Sequence, residues 1–132
     1  MKTLAEPAPE GAEKWEVQLR KGSLELAILA ALWEGRLYGL EILRYLESNS
    51  DLKVVEGTVY PLLNRLRALE LVESEWVASD SGHPRKYYRI TAAGRQRAGE
   101  MLRIWARFSA SMNDLLAPLN RDAKNEVRKG ES

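Results

Sequence analysis

The sequence predicts a mostly α-helical protein that carries a small β hairpin and ends in a long helix. Apolar residues recur at helical spacing in three segments between residues 23 and 69. Residues 80–84 then form a turn signal that opens into a basic and aromatic strand at residues 85–90. Between residues 98 and 119, apolar side chains recur at alternating steps of three and four, which is a heptad pattern. This order predicts a winged helix-turn-helix domain followed by a long C-terminal helix.

Length, charge and composition restrict the class of protein. With 132 residues, 45% of them hydrophobic, the chain is expected to form one compact domain with extensions. The formal net charge is only +1, but residues 57–98 carry seven Lys or Arg against four Asp or Glu, a local balance of +3 that suits phosphates. The absence of cysteine excludes disulfides, thiol catalysis and cysteine zinc sites. No apolar run has the length of a membrane span and no secretory signal is present, so we expect a soluble cytoplasmic protein without a membrane partner.

Residues 1–21 are predicted to form an N-terminal arm and a docking segment. The first 13 residues are rich in Pro, Gly and Glu and are expected to stay mobile. The apolar residues expected to dock are Trp15, Val17 and Leu19. Ser23 is the predicted N-cap of the first helix, which extends to Trp33 and has almost no polar face. We therefore expect this helix to be central in a domain spanning residues 22–91.

The second helix is predicted at about residues 38–49 and should be amphipathic. Its expected inward face is Tyr38, Ile42, Tyr45 and Leu46. Its expected outward face is Glu41, Arg44 and Glu47. Gly39 has no side chain, so it should let this helix approach a neighbour closely.

The third helix, at about residues 57–69, combines one apolar stripe with one polar face. Thr58 is its predicted N-cap, and Pro61 falls in its predicted first turn, where a missing backbone donor costs nothing. The predicted buried stripe is Val59, Leu62, Leu66 and Leu69. The opposite face carries Tyr60, Asn64 and Arg67. Taken alone, such a face is more often plain solvated surface, but followed by a basic hairpin it is typical of a helix that lies on DNA.

A hairpin is predicted to follow the third helix. In its first strand, at residues 71–77, Val72 and Trp76 share one face, while Glu73 and Glu75 share the other. On the return strand, Tyr88 and Ile90 should complete the buried face.

Thr91 is the predicted cap of the last helix, at residues 92–119, which we interpret as a dimerisation helix. Its heptad positions are Ala98, Met101, Trp105, Phe108, Met112, Leu115 and Leu119. A projecting apolar seam has to be covered, and a second copy of the same helix is the simplest cover. The alternative is that the helix packs back on its own domain. Pro118 should end the helix and leave residues 120–132 as a charged tail.

Four segments between about residues 20 and 96 resemble the PadR family of bacterial transcription regulators. They are KGSLEL at residues 21–26, YGLEI at 38–42, GTVYPLLNRL at 57–66 and RKYYRIT at 85–91, followed by Gly94. The resemblance implies a homodimeric winged-helix repressor, which in some members is released from DNA by a small aromatic or phenolic compound. The single terminal helix is similar to that of the short subclass, in which dimerisation rests mainly on this helix.

Candidate DNA contacts lie on the third helix and on the wing. The helix offers Thr58, Tyr60, Pro61 and Asn64 near its N-terminal end, together with Arg65 and Arg67. The Asn side chain pairs well with adenine, and Tyr or Pro can touch a thymine methyl group or a phosphate. The two arginines serve either phosphates or an internal carboxylate, and Tyr60 is alternatively a core residue. The wing offers His83, Arg85 and Lys86 for phosphate or minor-groove contacts, and Lys53 is a weaker candidate.

A candidate ligand site is centred on Trp105, in the middle of the seam. An indole at a heptad core position packs awkwardly between two helices, so a gap beside it is expected. Its predicted walls are Phe108, Met101 and Met112, whose side chains are polarizable and adaptable. In position, Trp105 resembles the Trp that stacks flat aromatic ligands across the dimer axis in some short-subclass members. The alternative is that these residues form only the dimer core.

The sequence offers little for catalysis or cofactor binding. His83 is the only histidine, and no nucleophile or second titratable group is predicted beside it. No phosphate-binding glycine loop or metal-ligand cluster is present, so we expect neither an enzyme nor a cofactor or metal. The favoured function is a homodimeric repressor that binds double-stranded DNA at an inverted-repeat operator. A small aromatic ligand at the dimer interface is the candidate effector that releases it. The alternative is a winged-helix module that binds another protein and has no role at DNA.

Overall fold

The computed structural model describes residues 10–50 and 54–131 of the chain. The elements are α1 Glu10–Ala31, β1 Leu37–Tyr38, α2 Gly39–Asn49, α3 Glu56–Ala68, β2 Val72–Val77, β3 Arg85–Ile90 and α4 Ala92–Glu131. This confirms the predicted class of a mostly helical protein with a small antiparallel sheet and a long C-terminal helix. No helix in the described stretches is long and apolar enough to cross a membrane.

Helix α1 begins at Glu10, so the prediction that Ser23 caps its start was wrong. Ser23 lies inside the helix, where its hydroxyl oxygen is 3.3 Å from the carbonyl oxygen of Arg20 and 3.4 Å from that of Leu19. Serine is tolerated within a helix when its hydroxyl donates to a carbonyl one turn back. The predicted mobile arm is helical from Glu10 onward, and residues 1–9 lie outside the described residues.

The core is formed where α1, α2 and α3 pack against one another and against one face of the sheet. Its fully buried side chains are Ile28, Leu29, Leu32, Ile42, Val59, Leu63, Leu66 and Val72. The predicted inward position of Tyr45 was wrong, because 44% of this side chain is exposed. Glu41 is half-buried instead of outward, since its carboxylate accepts a hydrogen bond from the backbone N–H of Tyr38, at 3.1 Å, at the start of α2.

Helix α3 starts one residue before the predicted motif. Val55, in an extended conformation, is its N-cap residue, and no side chain caps the helix there. Thr58 therefore lies inside the helix, and its N–H donates to the Val55 carbonyl at 2.9 Å, so its predicted role as N-cap was wrong. Pro61 is the sixth helical residue and lies beyond the first turn. The acidic Glu56 suits the helix start because it complements the positive end of the helix dipole.

Helix α3 ends in a hydrogen-bonded reversal that turns the chain into the sheet. The N–H of Glu70 donates to the carbonyl of Arg67, and the N–H of Leu71 donates to that of Leu66, both at 2.9 Å. This is a Schellman motif, and it places Glu70 in the left-handed region with φ of 61°. The predicted buried position of Leu69 was wrong, because the helix ends just before it and 49% of its side chain is exposed.

The sheet has three antiparallel strands in the order β1-β3-β2, one more than the predicted hairpin. Leu37 pairs with Tyr88 and Tyr38 with Tyr87. In the hairpin itself, Val72 pairs with Ile90 and Trp76 with Lys86. The prediction that Tyr88 and Ile90 complete the buried face is confirmed. Trp76 lies on the same face as Val72 but remains exposed.

Helix α4 is longer than predicted. Its start is as expected, since the Thr91 hydroxyl accepts a hydrogen bond from the N–H of Gly94 at 2.9 Å. The helix continues through Pro118 to Glu131, so the prediction that Pro118 ends it was wrong. Proline removes one backbone donor and disturbs the preceding turn, but the flanking backbone remains helical. The chain divides into two compact units, Met1–Ala98 and Gly99–Ser132.

Candidate nucleic-acid interface

One face of α3 is buried and the other is presented to solvent. Val59, Leu63 and Leu66 are fully buried, whereas Tyr60 is 38% exposed and Asn64 is exposed. Among the other candidate DNA contacts on α3, Pro61, Arg65 and Arg67 are exposed, and Thr58 is half-buried. The helix therefore offers a surface that combines an amide, a phenol and guanidinium groups.

Tyr60 is positioned by the glycine that starts α2. A β-carbon at Gly39 would clash with the Tyr60 hydroxyl and would lie 2.5 Å from its Cε1 atom, so the ring occupies the space that the missing side chain leaves. The close approach predicted for Gly39 is therefore present, and the neighbour is this ring. Tyr60 is neither a core residue nor a free surface side chain, because one side of the ring packs on α2 while the rest stays accessible.

Arg65 and Arg67 have different surroundings. The exposed Arg65 forms an ion pair with the half-buried Glu25 of α1, with 3.4 Å between its Nη1 atom and a carboxylate oxygen. Arg67 lies where its charge acts on Tyr88. Burial raises the pKa of the Tyr88 hydroxyl above its ordinary value of 10.0, the positive charge of Arg67 lowers it in part, and Tyr60 raises it. The buried tyrosine of the wing thus lies beside the polar face of α3.

The turn of the wing is built by local hydrogen bonds. The Ser79 hydroxyl donates to the carbonyl of His83 at 2.5 Å, and the N–H of Gly82 donates to the carbonyl of Ser79 at 3.1 Å. Gly82 has φ of 86°, a conformation that glycine adopts without steric cost. The His83 side chain is exposed at this turn.

The two basic residues that follow the turn lie on opposite faces of the sheet. The Arg85 guanidinium stacks 4.6 Å from the centre of the Tyr38 ring, on the face away from the core. The Lys86 ammonium lies 5.8 Å from the ring centres of both Trp76 and Tyr88, on the face that continues into the core. Successive strand residues point to opposite faces, which explains the separation. Because Tyr88 lies beside the polar face of α3, Lys86 is on the side of the wing that α3 shares.

A network on the outer face of the sheet was missed by the sequence analysis. Glu75 accepts hydrogen bonds from Arg36 at 2.8 Å and from Arg89 at 2.5 Å, both through the same carboxylate oxygen. The guanidinium of Arg36 also lies 4.7 Å from the centre of the Tyr87 ring. Glu75 thus ties the chain before β1 to both hairpin strands. The hairpin pairing places Glu75 beside Arg89, whereas Arg36 is brought to them only by the pairing of β1 with β3, of which sequence spacing gave no sign.

Two further predictions concern Lys53 and metal binding. Lys53 lies outside the described residues. Within residues 10–50 and 54–131, no group of three or more His, Cys, Asp or Glu side chains could hold a metal ion.

The predicted seam on α4 presents large apolar side chains to solvent in the single chain. Phe108 is 56% and Trp105 is 45% exposed, and their ring centres are 6.4 Å apart. Leu115 and Leu119 are exposed, and Met101 and Met112 are half-buried. Ala98 differs, because it is already buried in the single chain and adds little to the exposed stripe.

A helix-turn-helix pair backed by a third helix and followed by a basic hairpin defines a winged-helix protein. The chain belongs to the transcriptional regulator PadR-like family, whose model matches residues 28–100. This family consists of regulators that bind DNA, which assigns the chain to DNA-binding transcription regulators.

Similar proteins of known structure support this assignment. A PadR-like transcription factor from Bacteroides fragilis is 39% identical, with 77% of this chain and 98% of that chain covered and a TM-score of 0.64. A PadR family transcriptional regulator from Eggerthella lenta is 31% identical, with 80% and 91% covered and a TM-score of 0.72. By sequence alone, an uncharacterized protein from Lysinibacillus sphaericus is also similar, being 33% identical over 88 residues that cover 65% of this chain and 81% of that protein.

Proposed function

We propose that this regulator is a homodimeric, cytoplasmic repressor that reads an inverted-repeat operator with α3 and the wing. The observation that carries the proposal is the two-sided character of α3. Val59 and Leu63 on its inner face have no exposed surface, whereas Tyr60 and Asn64 on its outer face are accessible. A helix fixed so firmly on one side presents its outward polar groups to a base pair with little loss of backbone freedom on binding.

Each exposed group of α3 has a chemical role in the proposal. The Asn64 amide donates to and accepts from an adenine edge, and Tyr60 and Pro61 contact a thymine methyl group. Thr58, closer to the helix start, binds a phosphate through its hydroxyl, as does Arg67 through its guanidinium. Arg65 takes the same role after leaving Glu25, since the Arg65 side chain is largely exposed and an ion pair near the surface is weak enough to exchange for a phosphate.

The wing supplies contacts that hold the domain on the duplex. Lys86 binds a phosphate on the side of the wing that α3 shares. His83 and Arg85, at the turn of the wing, contact the DNA backbone. Lys53, which precedes α3 in the sequence, adds a further phosphate contact in this proposal. These contacts position the protein, but they carry no sequence information of their own.

In the proposal, dimerisation sets the distance between two copies of this DNA-binding surface. Two copies of α4 cover each other along Met101, Trp105, Phe108, Met112 and Leu115, and Ala98 and Leu119 lie at the ends of the seam. A dimer with twofold symmetry presents two α3 helices, so the operator should be an inverted repeat with half-sites about one helical turn, or a multiple of it, apart.

Selection from a random library tests the DNA-binding part of this proposal. The full-length protein is incubated with randomised duplexes, and the bound DNA is sequenced over several rounds. We expect an inverted repeat to be enriched, and a promoter carrying this repeat should be silenced in cells that express the protein. Recovery of no preferred sequence would favour the alternative of a winged-helix module that binds another protein.

The seam also provides a site for an aromatic effector. We propose that a planar aromatic compound binds between the two Trp105 rings of the dimer, with Phe108, Met101 and Met112 as its walls. Stacking contributes about 0.5–1.5 kcal/mol per aromatic pair beyond the buried area, which together with that burial is sufficient for micromolar affinity. To release DNA, the compound must prefer the arrangement of the dimer that does not fit the operator, because equal affinity for both arrangements shifts nothing.

Fluorescence titration tests the effector site. Flat cationic dyes and phenolic acids are added to the unmodified protein and to Trp105→Ala, and tryptophan emission is followed. We expect quenching that is lost in the variant. Quenching that survives unchanged would place the ligand elsewhere, and no quenching by any compound would leave these residues as plain dimer core.

A further inference from the structure

Trp76 on the wing has an exposed indole for which the fold gives no cover. With 68% of its surface accessible, it is more exposed than any other large apolar side chain in the described part of the Met1–Ala98 unit. Val72 on the same strand and the same sheet face is 1% exposed, so the apolar face of the sheet continues past the end of the core. An aromatic side chain of this size contributes a large apolar area to whatever covers it.

The indole lies on the side of the wing that α3 shares. Trp76 pairs across the hairpin with Lys86, and the Lys86 ammonium lies 5.8 Å from the centres of both the Trp76 and the Tyr88 rings. On its other side, Tyr88 lies within reach of the positive charge of Arg67 on α3, which lowers the pKa of its hydroxyl in part. A continuous row of groups therefore leads from the polar face of α3 through Tyr88 and Lys86 to the indole.

The positive charge of Lys86 beside the apolar indole indicates which kind of partner fits this row of side chains. The ammonium of Lys86 attracts an anion, while the flat face of Trp76 requires an apolar surface directly beside that anion. The sugar–phosphate wall of a DNA groove has this composition, since each phosphate is flanked by the apolar faces of deoxyribose rings. The cation–π contact also restrains both side chains before binding, which reduces the entropy cost of association.

From these observations we propose that Trp76 is a DNA contact, packing its indole against deoxyribose while Lys86 binds the adjacent phosphate. This inference rests on the proposed function and adds to it an apolar contact between the Trp76 indole and the DNA sugar. The two neighbouring side chains therefore make different contributions. Lys86 contributes through counterion release, which depends on salt, whereas Trp76 contributes through apolar contact, which does not.

The test measures DNA affinity at several salt concentrations, using the inverted-repeat duplex selected by the unmodified protein. We expect Trp76→Ala to weaken binding by about tenfold at every salt concentration, because the apolar area of the indole is no longer buried against the duplex. Trp76→Phe should keep most of the affinity because it retains a flat aromatic face. Lys86→Gln should instead lower the slope of log affinity against log salt by roughly one unit for each phosphate that is no longer neutralised.

Trp33→Ala is the matched control, because Trp33 is also an exposed tryptophan of the same unit, and its ring stacks under Arg95 at 4.4 Å. We expect it to leave operator affinity unchanged. Thermal melting should show that Trp76→Ala remains folded, since this side chain is largely exposed. DNA should also quench tryptophan emission less in Trp76→Phe than in the unmodified protein.

The outcomes separate this inference from the proposed function. Operator binding by Trp76→Ala within twofold of the unmodified protein would overturn the contact while leaving the repressor intact. A shallower salt slope in Trp76→Ala, or an equally large effect of Trp33→Ala, would also overturn it. If the unmodified protein selects no DNA sequence, the proposed function fails and this contact fails with it.

Discussion

Among the glycines whose surroundings the structure describes, Gly94 is the one at which a single added carbon should cost the most stability. A β-carbon there would collide with the carbonyl oxygen of Leu71 and would lie 2.7 Å from the Cγ1 atom of Ile90. The N–H of Gly94 is also held by the Thr91 hydroxyl, so the first turn of α4 cannot easily move away. The close approach joins the start of α4 to the point where α3 leads into β2.

We predict that Gly94→Ala lowers the free energy of unfolding by about 1–3 kcal/mol, the usual cost of overpacking against atoms that cannot yield. The matched control is Gly22→Ala, in the middle of α1, where an added β-carbon meets nothing within 4 Å. That change should raise stability by about 0.5–1 kcal/mol, because alanine loses less entropy than glycine in a helix. Denaturant unfolding at one fixed protein concentration checks both, and equal stability of the two variants would contradict the packing.

Asn64 and the wing cations are predicted to affect DNA binding in different ways. Asn64→Ala should lose discrimination at one base position in each half-site, by about 1–3 kcal/mol. Arg85→Ala and Lys86→Ala should weaken binding to all sequences and reduce the salt slope by roughly one unit for each phosphate left without its cation. Competition assays with single-base operator variants separate the two effects. If the wing variants changed base preference and Asn64→Ala changed only overall affinity, these roles would be reversed.

At the scale of elements, the end of α3 stores strain that glycine would relieve. Glu70 adopts φ of 61°, a conformation that costs a residue with a β-carbon roughly 1–2 kcal/mol. Its backbone N–H is needed for the reversal into β2, so the conformation is imposed by the hydrogen bonds around it.

We predict that Glu70→Gly raises the free energy of unfolding by about 0.5–1 kcal/mol, after allowance for the greater freedom of glycine in the unfolded chain. Glu70→Ala keeps the β-carbon and is the control, so it should be close to neutral. Thermal melting measures both. A glycine variant that is less stable than the alanine variant would show that the Glu70 side chain matters more than its backbone conformation.

Elements with strong local patterns were predictable, whereas their ends and the pairing of distant segments were not. The heptad pattern and the Thr91 cap located α4, and alternation located the hairpin. The starts of α1 and α3 were misjudged because Ser23 and Thr58 have the chemistry of cap residues, yet the helix continues on both sides of them. Strand β1 has only two residues and owes its existence to pairing with β3, which no local pattern reveals.

The candidate site was predictable to a similar degree. Helical spacing alone placed Tyr60, Asn64 and Arg67 on the exposed face of α3. It could not show that Arg65 faces Glu25 or that Tyr60 packs on Gly39, because both partners come from other helices. The exposure of Trp76 was hidden because alternation assigns a face but does not say where the core ends.

For the whole molecule, we predict an obligate homodimer that depends on the seam of α4. Phe108→Glu should place a charge in a desolvated interface and break the dimer, at a cost of several kcal/mol. Ala110→Glu is the control, because Ala110 is exposed on the same helix at a position outside the heptad seam. Sedimentation at micromolar concentration should show a dimer for the unmodified protein and for the control. A well-folded monomer of the unmodified protein would contradict this prediction.

The most direct test of the central claim is a gel shift on the DNA upstream of the protein's own gene, since such regulators often control neighbouring genes. The unmodified protein and Asn64→Ala are each titrated against this duplex in the presence of excess unrelated DNA. We expect the unmodified protein to form a discrete complex that survives the competitor, and Asn64→Ala to lose most of that preference. A complex that the competitor removes equally for both proteins would contradict sequence reading by α3.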